Sequence, residues 1–120
     1  MKKAKAENPQ LLDLIGFLEK AARENNARIW KDIAHRLSKS RSRRITVNLS
    51  QINRHTEKAQ QVAVAGKVLG SGTLSHPITA TAFAFSTTAT DKIKRARGKC
   101  LTFQELVKKN PKGSNVKIVG

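Results

Sequence analysis

The chain is poor in cysteine, aromatic side chains and acids, and each shortage removes a class of explanation. A single cysteine, Cys100, excludes an internal disulfide and any zinc site built from several thiolates. It also points to a reducing, intracellular setting. Aromatics amount to 4% of the residues, with Trp30 alone of its kind and no tyrosine. A surface that stacks successive single-stranded bases on aromatic rings needs more than that. The 8 Asp and Glu residues are too dispersed to suggest the paired carboxylates of acid–base catalysis. His35, His55 and His76 are scattered, without metal-ligand spacing, and no HExxH or GxSxG arrangement occurs. Neither a catalytic site, a metal nor another cofactor is therefore expected. No apolar run approaches the roughly 20 residues of a membrane-spanning helix. The stretch Met1–Ala6 is not followed by an unbroken apolar region, because Asp13 and Gly16 interrupt Leu11–Leu18. Neither a signal peptide nor a membrane partner is expected, and the cytoplasm is the expected location.

Positive charge is what the chain has in excess. Against those 8 acids stand 24 Lys and Arg, for a formal charge of +16 and a pI near 10.9. Folding does not require such a surplus, and self-repulsion makes it a cost, so it implies a polyanionic partner. The peak lies between His35 and Arg44, where Arg36, Lys39, Arg41, Arg43 and Arg44 occur with no acid among them. A run of this kind is usually a solvated face. Here it follows a helix, is interleaved with Ser38, Ser40 and Ser42, and is richer in Arg than in Lys. Hydroxyls add hydrogen bonds to phosphate, and guanidinium groups bind phosphate bidentately. Nucleic-acid contact is the better reading. With so few aromatic rings, phosphate contact and shape recognition fit better than base stacking.

Residues 61–90 carry one charged side chain, Lys67, and read as core between two charged flanks. Asn8-Pro9 is a good helix start, and Leu11, Leu14, Ile15, Leu18 and Ala22 then recur at helical spacing. After Asn25-Asn26, a second helix is predicted from about Arg28 to Ser38, with Trp30, Ile33, Ala34 and Leu37 as its apolar stripe. The two form a helical hairpin. Ile45–Val47 predicts a short extended piece, and Ser50 a cap for a short helix through His55. Gln61–Leu69 predicts a strand with a turn at Gly66, and Gly70–Gly72 a second turn. Ile78–Phe85 alternates as a strand, its small residues Ala80, Ala82 and Ala84 leaving room for a helix to approach. Ser86 should cap a helix with Phe85, Ala89, Ile93 and Ala96 buried and Gly98 as its stop. Thr102 to Glu105 matches a capping box opening a short helix around Leu106 and Val107. Asn110–Gly113 ends that helix, and Val116–Val119 is a last short strand. The expected class is mixed α/β: a helical hairpin, then alternating short strands and helices.

Arg54 and Lys58, with His55 between, either extend the basic run or form an exposed helix face salted with Glu57, and Lys67, Lys94, Arg95 and Arg97 form a second candidate patch. Lys2, Lys3 and Lys5 make a basic N-terminal arm over residues 1–7. Gly66–Gly72 is not a Walker loop, since it lacks the Gly-Lys-Ser/Thr ending, and its spacing is wrong for a dinucleotide fingerprint. Turn and bulge chemistry accounts for it, leaving Lys67 and nearby amides free to touch an RNA backbone. Cys100, just ahead of a helix start, could have a depressed thiol pKa, although apolar packing is the commoner role. Two rivals to an RNA-binding protein remain open on composition. One is a DNA-compacting architectural protein; the other is an enzyme using Lys67 and the glycine turns on a phosphorylated small molecule.

Four segments carry a family resemblance: Arg43–Arg54, Gly66–Gly72, Phe85–Ile93 and Asn110–Val116. In that order they resemble the archaeal and eukaryotic large-subunit ribosomal protein family L-eighteen-e, akin to bacterial L-fifteen, over nearly the whole chain. The compact length resembles the archaeal members. The resemblance implies a helical N-terminal part followed by irregular β-β-α repeats. It implies a structural role on large-subunit ribosomal RNA beside neighbouring ribosomal proteins, in the cytoplasm and in translation. It implies no catalysis, cofactor or small-molecule substrate. Where many relatives have paired glycines, this chain reads Ala96-Arg97-Gly98, which adds a candidate phosphate contact. The expected organisation is an arm over 1–7 and one domain over 8–120, helical to about residue 58 and α/β from about 59.

Overall fold

The structure, a computed structural model, describes residues 9–39 and 45–120. The N-terminal arm, the Asn8 cap, and Arg41, Arg43 and Arg44 lie outside the described residues. Helices α1 (Pro9–Asn25) and α2 (Arg28–Leu37) are followed by β1 (Ile45–Asn48), α3 (Leu49–His55), β2 (Gln60–Leu69) and β3 (Ile78–Phe85). Then come α4 (Thr87–Arg95), β4 (Lys99–Leu101), α5 (Phe103–Lys109) and β5 (Val116–Ile118). This is the mixed α/β arrangement expected, with the helix pair first.

The described chain gathers into two compact units. The first holds α1, α2 and α5. Helix α1 buries Leu11, Leu14, Leu18 and Ala21, and α2 buries Trp30, Ile33, Ala34 and Leu37. The seam of α1 thus passes through Ala21, and Ile15 and Ala22 are only half-buried. Asn26, at φ +51°, turns the chain between the two helices. The Trp30 indole is fully buried and its Nε1 donates to the Pro111 carbonyl at 2.7 Å. Lys112 Nζ donates to the Asn25 carbonyl at 2.7 Å. These two bonds hold the segment after α5 against the helix pair.

The second unit is a sheet in which every paired neighbour runs parallel. The order is β1-β2-β3-β4, and β5 pairs with the first half of β2 while β1 pairs with its second half. Its core joins Val47, Leu49, Ile52, Val62, Val64, Val68, Ile78, Ala80 and Ala82 to Ala89 and Ile93 of α4. The small residues of β3 therefore do admit a helix. Thr81, on the other face of β3, is also fully buried, and Thr79, Phe83 and Phe85 on that face are half-buried.

Several local expectations change. Gly66 does not turn the chain. It lies within β2, in register with Ile45, and the pairing with β3 shifts between Val64 and Lys67. An irregularity in the ladder bends the strand without ending it. The residue before α3 is Asn48, and Ser50 lies inside the helix. Ser86 caps α4 as expected, its side chain accepting from the Ala89 amide at 3.1 Å. The end of α4 differs. The amide of Gly98 bonds the Ile93 carbonyl at 2.9 Å and that of Arg97 bonds Lys94 at 2.9 Å, which is the Schellman pattern. The left-handed residue it requires is Arg97, at φ +67°, and not Gly98. Cys100 lies in β4, a strand too short for its periodicity to announce it.

Candidate nucleic-acid interface

Basic side chains collect where helices end. The last turns hold Arg23 in α1, His35 and Arg36 in α2, and Arg54 and His55 in α3. Lys92, Lys94 and Arg95 close α4, and Lys108 and Lys109 close α5. The partial negative charge at a helix C-terminus favours cations there. The fold thus concentrates cations at these helix ends.

The candidate residues divide by setting. Arg36 is half-buried and its Nε reaches Asp32 Oδ1 at 3.2 Å, one helical turn back. The run is therefore partly neutralised at its first arginine by an acid that precedes it. Lys39 is exposed just beyond the Ser38 cap. Arg54 is exposed near the end of α3, and Lys67 is exposed on β2, in register with Thr46 of β1 and Ala84 of β3. Lys94, Arg95 and Arg97 are all exposed and come together around the end of α4, and exposed Lys99 follows them on β4. The sequence reading passed over Lys99. The signal was its place two residues from Arg97 in a segment without acids.

The glycine segment is a crossover. Parallel neighbours ordinarily need a helical connection, yet residues 70–77 join β2 to β3 without one. They are pinned at many points. Lys92 Nζ donates to the carbonyls of Gly70 and Gly72 at 2.7 and 2.8 Å, and the Ser50 amide donates to the Ser71 carbonyl at 3.1 Å. Asn53 Oδ1 accepts from both the amide and the hydroxyl of Ser75 at 3.0 Å. The Thr56 hydroxyl donates to the Ile52 carbonyl at 2.7 Å, so it accepts from His76 Nε2 at 2.8 Å. A side chain on Gly70 would lie 2.8 Å from the Ala89 amide nitrogen. Three successive carbonyls thus accept bonds from the protein itself, whereas a phosphate cradle turns amides toward its ligand.

Lys117 is another cation with a structural task, donating to the His55 carbonyl at the end of α3 at 2.6 Å. Cys100 is half-buried, and burial pushes its thiol above the ordinary value. The Lys94 charge and a hydrogen bond from Thr90 oppose this without cancelling it. The site therefore favours the protonated thiol and fits the packing role. Among the described residues no cluster of three His, Cys, Asp or Glu could hold a metal, and no helix is long and apolar enough to cross a membrane.

Comparison with known proteins matches residues 1–120 to the family described as "Ribosomal protein 60S L18 and 50S L18e". The large ribosomal subunit protein eL18 of Methanothermobacter thermautotrophicus is 46% identical over 119 residues, covering 99% of this chain and 98% of its own. The protein of the same name from Methanoregula boonei is 47% identical over 93% of both chains. That from Archaeoglobus fulgidus is 42% identical over 93% of this chain and 96% of its own.

Proposed function

The chain belongs to the L18/L18e family of ribosomal proteins, and from that premise we propose that it binds and stabilises folded ribosomal RNA in the large subunit. The observation that carries this reading is the gathering of exposed cations at helix ends, led by Lys94, Arg95 and Arg97 beside Lys99. Phosphate contact falls to these residues with Lys39, Arg54 and Lys67, and to Arg41, Arg43 and Arg44 of the basic run. Arg36 takes part by exchanging Asp32 for phosphate. With few aromatic rings available, recognition rests on the backbone, the 2′-hydroxyls and the shape of the RNA. Its place of work is then the ribosome in the cytoplasm, with neighbouring ribosomal proteins as further partners. Kinship with ribosomal proteins favours RNA over the duplex DNA of an architectural protein.

Crosslinking the protein to nucleic acid in its own cells and sequencing what is recovered tests the reading. A few sharp sites in large-subunit ribosomal RNA are expected. Reads spread over genomic DNA, or over RNA of every kind, would overturn it.

A further inference from the structure

The outer face of α2 carries Arg28 and Lys31, cations outside every candidate patch above. Its inner face, Trp30, Ile33, Ala34 and Leu37, is wholly buried. Arg28, Lys31 and His35, at i, i+3 and i+7, fall on the opposite side and are exposed. Arg23 stands near the end of α1, across the Asn26–Ala27 turn. This surface is concave. A cleft of about 470 Å³ lies along Arg28, Ile29, Lys31, Asp32 and His35. A second, of about 330 Å³, shares Arg28 and Lys31 and extends to Glu19, Arg23 and the turn.

The acids on this surface do not balance the cations. Asp32 is taken by Arg36 at 3.2 Å, and nearby Glu24 by Lys20 at 3.9 Å. Among the described residues, Glu19, Arg23, Arg28 and Lys31 make no ion pair. These open clefts bring Arg23, Arg28 and Lys31 to bear together on whatever enters them. The buried inner face also makes α2 a rigid platform.

We propose that this face is an RNA-contact groove. A sugar–phosphate strand seats along it from Arg23 past Arg28 and Lys31 toward Lys39 of the basic run. The inference rests on the reading of the chain as an RNA-binding protein and extends it to residues outside that run. The guanidinium groups of Arg23 and Arg28 supply forked phosphate contacts, and Lys31 a point charge between them.

The test compares the full chain with a variant carrying Arg23→Gln, Arg28→Gln and Lys31→Gln, measuring affinity for large-subunit ribosomal RNA across a salt series. Each phosphate contact adds roughly 0.7–0.9 to the slope of log K against log salt. The variant is expected to lose about two units of slope and at least about tenfold in affinity at moderate salt. A charge-keeping set, Arg23→Lys, Arg28→Lys and Lys31→Arg, is expected to retain the wild-type slope. If the triple variant does not fold, Arg28→Gln and Lys31→Gln taken singly are each expected to lower the slope by about one unit. A folded glutamine variant with the wild-type slope overturns the groove and leaves that face to solvent or a protein neighbour. A wild-type chain whose binding ignores salt overturns the parent reading together with the groove.

Discussion

Arg97 combines two demands that pull against each other. A Schellman ending wants glycine in its left-handed position, since a side chain there costs about 1–2 kcal/mol. Arg97 occupies it at φ +67° with its charge in solvent, beside Lys94 and Arg95. Backbone strain retained at an exposed cation suggests that the charge is useful. Arg97→Gly is therefore expected to stabilise the isolated protein by about 1 kcal/mol, read as roughly 4 °C in Tm. The same substitution should weaken RNA binding and lower its salt slope by about one unit. Calorimetry and a salt series on one preparation check both; a variant that loses stability would remove the strain from the account. Residue by residue, what the sequence discloses is local chemistry. The Ser86 cap needs only its own helix, so it is legible. The tasks of Lys92, Lys112 and Lys117 are not, because each bonds a carbonyl at least 20 residues away. As sequence, these three lysines cannot be told from the exposed ones proposed to meet RNA.

At the scale of elements, periodicity made the apolar stripe of α2 and the alternation of β3 legible, since both elements are long enough to repeat. β4 is three residues and repeats nothing. Parallel pairing was beyond reach too, because register is set by contacts between segments far apart in sequence. Gly66 shows the consequence. A glycine inside a largely apolar stretch reads as a turn, but here it lets β1 lie close to β2. An added Cβ would fall directly on the Ile45 carbonyl oxygen, which is backbone and cannot swing aside. Gly66→Ala is expected to cost at least about 2–3 kcal/mol, the upper part of the usual overpacking range. Hydrogen exchange should quicken first across Ile45–Asn48, the strand that has to move. Unchanged protection in β1 would mean that the ladder irregularity between Val64 and Lys67 absorbs the extra carbon.

For the whole molecule the question is what a charge of +16 does when no RNA is present. The helix-end cations each gain ~0.3–1 kcal/mol from the dipole behind them, a benefit that grows in proportion to their number. Repulsion grows with the square of the surplus. Two like charges ~15 Å apart cost about 0.3 kcal/mol in unscreened water, little for one pair but repeated over every pair. Repulsion should therefore dominate, and the compact chain suffers more than the expanded one. Added salt relieves it as the Debye length shrinks from ~10 Å at 0.1 M toward ~3 Å at 1 M. The same salt restores the counterion atmosphere to RNA and weakens binding. Raising KCl from ~0.1 to ~0.5 M is thus expected to lift the Tm of the free protein while lowering its affinity for ribosomal RNA. Opposite signs from one titration identify a fold whose surplus charge is kept for its partner. A Tm that falls with salt would mean that attraction at helix ends and in pairs such as Arg36–Asp32 outweighs repulsion. In that case the positive charge belongs to the stability of the fold as well as to its function.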